Sequence, residues 1–325
     1  MSIRTIGVFT SGGDAPGMNA CIRAAVRTAL NNDVNVIGIR RGYEGMLERD
    51  FVEMDARTVS NIMQLGGTIL KSARSKRFRT IEGRSLAAKH LREAGIDGLI
   101  AIGGDGTLQG AAHFYDEHQI PTVGCPGTID NDLFGTDETI GYDTALNTAI
   151  ENIDKIRDTA DAHDRLFLVE VMGRDAGFIA LESGIGGDAE LVLIPEMSGD
   201  VRSIKDQILS MMASQTRSSI VVVAEGEEHG GAMQVAQLLK DDSAFDHVDL
   251  RFCILGHTQR GGAPSARDRV LASRLGVAAV ESLLEGRSNV MVGIVNHEIR
   301  LTPMRVVWSR KKNIDYSLLK LIQTL

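Results

Sequence analysis

Short apolar, β-branched runs alternating with longer helix-period segments predict an α/β fold, with mostly parallel sheets covered by helices on both faces. The strand-like runs are residues 6–10, 34–39, 98–102, 122–125, 166–171, 191–194, 220–224 and 250–255. Between them, residues 19–31, 85–94, 108–117, 144–159, 179–184, 204–212 and 267–285 carry helical spacing. A second observation is where glycine and aspartate gather: residues 12–17, 103–106, 127–135 and 184–188. The first three clusters each follow a strand and precede a helix or turn. Right-handed crossovers bring strand carboxyl ends to one side, so the functional loops are expected there.

With 325 residues, 43% hydrophobic and 24% charged, the chain has an ordinary globular composition. It is long enough for one large or two medium domains. No Pro/Ser-rich linker, low-complexity segment or short repeat divides it. No apolar run approaches the roughly 20 residues that span a bilayer. The first residues enter a strand-like run without the regions of a signal peptide, so no membrane partner and a cytoplasmic location are expected. Cys21, Cys125 and Cys253 are widely spaced among apolar neighbours and read as buried structural thiols. A net charge of −8 opposes broad nucleic-acid binding. Any phosphorylated ligand must then be met by locally concentrated arginines.

Three motifs carry chemistry. Thr10-Ser11-Gly12-Gly13-Asp14-Ala15-Pro16-Gly17-Met18-Asn19 joins a strand to a helix. Its glycines allow close backbone approach, and N–H groups at a helix start attract phosphate. Gly12 and Gly17 match the outer glycines of a P-loop, but Met18 and Asn19 replace its Lys and Ser/Thr, and G-x-G-x-x-G is absent. A tight turn alone is the alternative. Gly103-Gly104-Asp105-Gly106-Thr107 follows the 98–102 run. Its glycines let a polyphosphate lie against backbone, and Asp105 offers a hard oxygen to Mg²⁺. The competing reading is a simple helix cap. In Pro126-Gly127-Thr128-Ile129-Asp130-Asn131-Asp132, two carboxylates at i and i+2 can divide the work. One accepts a hydroxyl proton while the other organises metal or partner side chains, although Asp and Asn are also common in plain turns.

Together with Val171-Met172-Gly173-Arg174 and Leu255-Gly256-His257-Thr258-Gln259-Arg260-Gly261-Gly262, these motifs resemble the bacterial 6-phosphofructokinases, in order and spacing, to about residue 295. The G-G-D-G-T stretch is also similar to lipid and nicotinamide-nucleotide kinases, so alone it names no substrate. The resemblance implies transfer of phosphoryl from ATP to fructose 6-phosphate, giving fructose 1,6-bisphosphate and ADP. It implies two similar three-layer α/β/α domains with the active site in the cleft between them: a larger ATP-binding domain of residues 1–141 plus 254–305, and a smaller sugar-phosphate domain of 142–253 plus 306–325. It further implies a homotetramer.

Gly13, Gly104, Asp105, Gly106 and Thr107 resemble the ATP phosphate cradle, with Asp105 the Mg²⁺ residue, and Arg74 resembles an arginine that meets ATP phosphates. Asp130 resembles the base for the sugar 1-hydroxyl. Thr128 and Arg174 flank the transferred group, and Asp132 lies in support. Met172, Gly173, Arg174, Glu225, His257 and Arg260 resemble the sugar-phosphate pocket, which Arg165 and Arg251 reach from a neighbouring subunit.

Pyrophosphate users of the wider family resemble G-G-D-D and P-K-T-I-D-N-D at these places. Gly106 and Gly127 stand here instead and favour ATP over a pyrophosphate-dependent enzyme. A non-catalytic nucleotide-binding regulator is the third reading, opposed by the presence of Asp105 and Asp130. Arg23 and Arg27, one helical turn apart, match effector-binding arginines, as do Arg157 and Glu190. The alternative for the helical pair is a solvated face. A lysine-rich stretch expected before the 220–224 strand reads Ser214-Gln215-Thr216-Arg217-Ser218, and the arginine expected after Asp55 comes one place late, as Arg57. Control by ADP and phosphoenolpyruvate is therefore expected to be weakened or altered. His90, His113, His118, His163, His229, His247 and His297 lack metal-ligand spacing. Met211-Met212 reads as helix core, Trp308 carries no signal, and Arg310-Lys311-Lys312 reads as a solvated turn before a last helix.

Overall fold

The computed structural model describes residues 3–162, 165–197, 199–214, 219–322 and 324. His163 and the 215–218 stretch lie outside the described residues. The chain forms two compact units: residues 1–129, 133–144 and 260–312, and residues 130–132, 145–259 and 313–325.

The first unit holds a seven-stranded sheet. Its strands are β1 (Thr5–Ser11), β2 (Asn35–Ile39), β3 (Phe51–Met54), β4 (Gly98–Gly103), β5 (Thr122–Pro126), β10 (Val290–Val295) and β11 (Glu298–Pro303). Their order is β11-β10-β5-β4-β1-β2-β3. The five inner strands are parallel, and the two edges, β3 and β11, run antiparallel to their neighbours. Burial on both faces gives β1 and β4 their continuous apolar runs. β3 and β11 were not legible, because their exposed positions carry polar residues.

Helix α1 (Met18–Asn31) buries Met18, Cys21, Ile22, Ala25 and Ala29, a stripe at helical spacing. It packs against α9 (Ala266–Leu284), whose start is capped by Ser265 accepting from Asp268 N at 3.1 Å. Gly276 is the point of closest approach: a Cβ there would lie 2.6 Å from the Cys21 carbonyl and 2.9 Å from Ala24 Cβ. Among α2 (Gly42–Glu48), α3 (Ile81–Glu93) and α4 (Asp105–His118), an aromatic run fills the core. Its ring centroids are 5.0 Å apart from Phe9 to Tyr43, 3.9 Å from Tyr43 to Phe78 and 5.2 Å from Phe78 to Phe114. α3 starts four residues before the expected 85, because Thr80 caps it by accepting from Gly83 N at 3.0 Å.

The second unit holds the parallel sheet β7-β8-β6-β9, made of β6 (Leu166–Val171), β7 (Leu191–Leu193), β8 (Ser219–Ala224) and β9 (Leu250–Ile254). Its helices are α5 (Tyr142–Asp161), α6 (Phe178–Gly186), α7 (Val201–Ser214), α8 (Ala232–Lys240) and α11 (Tyr316–Ile322). Leu168, Ile208, Val221, Val223 and Val235 form its core, with Met211 and Met212 packed against it.

Four segments group differently from the expected boundaries: residues 130–132 fall in the second unit, 142–144 in the first, and two longer stretches change place as well. Residues 254–259 stay with the second unit, where Leu255 N donates to the Glu170 carbonyl at 3.0 Å. Residues 306–312 stay with the first, where α10 (Met304–Ser309) packs on α4 and Lys311 bridges Leu133. The basic run is thus not a plain solvated turn: Lys312 Nζ donates to the Asp137 carbonyl at 2.6 Å, and the Arg310 guanidinium lies 5.4 Å from the Phe134 ring centroid. Cys21 and Cys125 are buried, and the hydrogen-bonding interaction between the two thiols together with burial pushes the Cys125 thiol up. Cys253 on edge strand β9 is only half-buried, against expectation.

Gly276→Ala sets propensity against packing. Alanine gains about 1 kcal/mol of helix propensity, whereas overpacking costs about 1–3 kcal/mol. Because the clash falls on a backbone carbonyl that cannot swing away, net destabilisation is expected, read as a lower denaturant midpoint. An unchanged or raised midpoint contradicts it.

Candidate functional site

In the larger sheet the strand order reverses between β1 and β4, and β5 lies beside β4. Such a reversal opens a crevice at strand carboxyl ends, and the three motif loops leave from those ends. Gly12 and Gly17 have φ of 85° and 104°, left-handed values that only glycine adopts cheaply. Thr107 Oγ1 donates to the Ser11 carbonyl at 3.0 Å, latching the first loop to the second. Tyr43, whose phenol burial pushes up, donates to the Thr107 carbonyl at 2.6 Å. Gly127 N donates to the Gly103 carbonyl at 3.0 Å, and a Cβ on Gly104 would lie 3.4 Å from Thr128 Cβ. The structure thereby brings Gly104, Thr107 and Thr128 together in the first unit.

Asp105 is the first residue of α4 and half-buried. The N–H groups and positive dipole end of that helix favour an anion there. No group of three or more metal-binding side chains occurs among the described residues. One carboxylate beside a phosphate-favouring backbone fits Mg²⁺, which takes one or two carboxylates plus substrate phosphates. Gly106 is exposed with open space where a side chain would stand. A Cβ on Gly127 would meet Ile102 Cγ2, Met18 Cε and Gly103 N at 3.1 to 3.2 Å.

Arg74 is exposed in the coil before the 3₁₀ turn Arg77–Arg79. The coil's preceding stretch is docked by Asn19, a buried residue that sequence reasoning used only as a mismatch. Its Nδ2 donates to the Leu65 carbonyl at 3.1 Å, and its Oδ1 accepts from Ile69 N at 2.8 Å. Arg260 Nη1 donates to the Asp14 carbonyl at 3.1 Å and lies against Gly13. Another missed residue is Asp268, which accepts from Gly141 N at 2.7 Å and Thr144 N at 2.8 Å and ties the root of α5 to α9.

In the smaller sheet the order reverses between β6, whose chain leaves into α6, and its neighbour β8, whose chain leaves into α8 on the other face. The segment after β6 supplies Met172, Gly173 and Arg174, Glu225 follows β8, and exposed His257 sits in the 3₁₀ turn Gly256–Arg260 after β9. Gln259, overlooked in the sequence, is fully buried and its Oε1 accepts from Met172 N at 3.4 Å. Asp130 is 2% exposed, Asp132 is half-buried, and Arg174 Nε stands 3.7 Å from Asp130 Oδ2. Gly173 and Arg174 have φ of 146° and 54°. Glu225 Oε1 accepts from Arg174 N at 2.8 Å and Gly173 N at 3.3 Å. A left-handed arginine costs about 1–2 kcal/mol. Hydrogen bonds to a carboxylate return about 1.5–3 kcal/mol each, so this turn is held in spite of its backbone strain.

Arg165 Nε and Arg251 Nη2 both engage Asp249, at 2.8 and 2.9 Å. Arg157 pairs with Glu190 at 3.1 Å and donates to the Gly187 carbonyl at 2.9 Å, while Glu190 also accepts from Ile220 N at 2.6 Å. Arg23 is half-buried and Arg27 exposed on α1. Asp55 Oδ1 accepts from Thr58 N at 2.8 Å and Arg57 N at 2.9 Å, a local turn that, led by the Thr58 N–H, lowers its pKa. Among the described residues, no helix is long and apolar enough to cross a membrane.

The phosphofructokinase family model matches residues 5–283. Over 323 residues the chain is 55% identical to the ATP-dependent 6-phosphofructokinase of Cytophaga hutchinsonii, covering 99% of this chain and 98% of that one. It is 54% identical, over 99% of both chains, to ATP-dependent 6-phosphofructokinase 1 of Thermus thermophilus. The structure of Pichia pastoris phosphofructokinase in the T-state superposes with a TM-score of 0.87 at 36% identity. That match covers 95% of this chain but only 36% of the yeast chain.

Burial raises the pKa of Glu170 on β6; an N–H from Ala232 at 2.9 Å opposes this and the Glu225 charge adds to it. With its folded pKa above the unfolded one, Glu170 favours folding fully below the ordinary glutamate value of 4.5, and that contribution is lost as pH rises through its folded pKa. Glu170→Gln, which keeps an acceptor for Ala232 N, should flatten this loss. Denaturant midpoints measured across that pH window check it, and parallel curves for the two proteins would count against it.

Proposed function

The chain belongs to the phosphofructokinase family, and from that premise we propose that it transfers the γ-phosphoryl group of ATP to the 1-hydroxyl of fructose 6-phosphate. The products are fructose 1,6-bisphosphate and ADP, the kinase step of glycolysis. The observation that carries the reading is the buried Asp130 carboxylate with the Arg174 guanidinium 3.7 Å away. A base and a cation stand side by side where a hydroxyl would lose its proton and charge would move onto phosphorus.

Asp130 accepts the hydroxyl proton as the sugar oxygen forms its bond to the γ-phosphorus. The bond from that phosphorus to the bridging oxygen breaks, and its electron pair leaves with ADP. The transition state is loose, so catalysis consists mainly of positioning and electrostatics. Arg174 balances charge on the transferred group from one side, and Thr128, beside Gly104, orients it. Gly13, Arg74 and residues 104–107 bind the ATP tail. Asp105 would hold Mg²⁺, whose chemistry is to neutralise phosphate charge. Met172, Gly173, Glu225, His257 and Arg260 form the sugar-phosphate side with Asp132 in support.

ATP binding is assigned mainly to the unit of residues 1–129, 133–144 and 260–312, and sugar-phosphate binding mainly to the unit of residues 130–132, 145–259 and 313–325. The protein acts in the cytoplasm as a homotetramer. Arg165 and Arg251, oriented by Asp249, reach a neighbouring subunit's 6-phosphate. Arg23, Arg27, Arg157 and Glu190 form an effector site whose response to ADP and phosphoenolpyruvate is weakened. The commitment of Arg157 to Glu190 supports that reading.

A coupled assay offering ATP and pyrophosphate separately tests the activity. Turnover with ATP is expected; turnover with pyrophosphate alone, or with neither, overturns the reading. Because Gly106 has open space, Gly106→Asp should fold normally. Its like charge near the donor phosphates should lower kcat/KM for ATP about 10- to 100-fold. An unchanged value removes Gly106 from donor selection.

Asp130→Asn should lower kcat by about 10² to 10⁴ with substrate affinity largely kept. A kcat equal to that of the parent enzyme removes Asp130 as the base.

A further inference from the structure

We propose that Glu225 is a positioning residue for Arg174, its carboxylate clamping the Gly173 and Arg174 N–H groups so that the arginine is held toward Asp130. The inference rests on the role proposed for Arg174 and deepens it. A side chain that only touched the sugar phosphate would not need these bonds. Glu225 Oε1 accepts from Arg174 N at 2.8 Å and from Gly173 N at 3.3 Å. Those two amides belong to consecutive residues with φ of 146° and 54°, and a left-handed arginine persists only where its surroundings over-determine it.

The surroundings do so from three directions. Glu225 is itself anchored, because its N–H donates to the Val171 carbonyl at 2.9 Å and continues the β6–β8 ladder. The next residue, Gly226, closes on the other side: a Cβ there would fall 1.9 Å from the Arg174 carbonyl oxygen. Ala176 N donates to the Gly173 carbonyl at 3.1 Å and ends the turn. Between these supports the Arg174 side chain leaves the backbone with its Nε 3.7 Å from Asp130 Oδ2. Its side chain is 52% exposed, so little packing holds it there. Its direction must come from the backbone, and the backbone is set by Glu225.

The test compares Glu225→Ala, Glu225→Gln, Arg174→Ala and the double variant Glu225→Ala/Arg174→Ala. Misplacement of the guanidinium should lower kcat of Glu225→Ala about 10- to 100-fold. Glu225→Gln, which keeps an acceptor oxygen for both amides, should recover most of it. The double variant should be no slower than the slower single, since both changes remove one function. Hydrogen exchange at the Gly173 and Arg174 amides provides a readout independent of turnover. Protection should fall in Glu225→Ala and return in Glu225→Gln. If Glu225→Ala does not fold, Glu225→Ser, too short to reach either amide, replaces it. A raised sugar-phosphate KM with kcat within about twofold, multiplicative losses in the double variant and unchanged amide protection would together overturn the clamp. If the parent enzyme shows no turnover, the proposed function fails, while the exchange data alone still decide the clamp.

Discussion

Where the order of parallel strands reverses, the chains leaving two neighbouring strands depart toward opposite faces of the sheet and leave their carboxyl ends uncovered. Both sheets contain such a reversal, between β1 and β4 in one and between β6 and β8 in the other. Each functional loop starts at or beside one of those four strands. The glycine loops follow β1 and β4, and the 127–132 segment follows β5. The Gly173–Arg174 turn follows β6, and His257 follows β9.

Backbone closeness then shapes the loops. Gly103 has no room for a side chain, because a Cβ would lie 2.4 Å from Thr107 Oγ1 and 2.5 Å from the Ser11 carbonyl. That closeness lets one threonine latch two loops. At Gly226 a Cβ would stand 1.9 Å from the Arg174 carbonyl. There the missing side chain lets a loop press on a turn that carries a charged residue.

The chain carries a net charge of −8, yet it belongs to a family whose named relatives act on a phosphorylated sugar. Several of its acidic residues pair with arginines. Asp249 engages Arg165 and Arg251, Glu190 engages Arg157, and Asp130 faces Arg174. Other carboxylates hold backbone instead: Asp268 at the root of α5, Glu225 behind Arg174. An excess of acid is thus compatible with local positive charge.

Much of the fold was legible because parallel strands buried on both faces must be continuous apolar runs, and the helices between them must show an apolar stripe. The strands of residues 98–103 and 166–171 are examples. The edge strands β3 and β11 were not read, since Glu53 in one and four of six positions in the other face solvent, and β10, though a buried apolar run, was missed as well. The turns of the first loop were legible too, because glycine is the residue that permits positive φ, as at Gly12 and Gly17. The order of Gly103–Thr107 and Pro126–Asp132 along the chain needed no coordinates to read. What the sequence could not express is which side chain a given backbone group meets. That Arg260 lies on the Asp14 loop, that Asn19 docks residues 65–69, and that Glu225 grips Arg174 from fifty-one positions away are matters of strand order and register. Periodicity records whether a residue is buried or exposed, but a partner distant in sequence is chosen only when sheets assemble and bring separate strand ends within hydrogen-bonding distance.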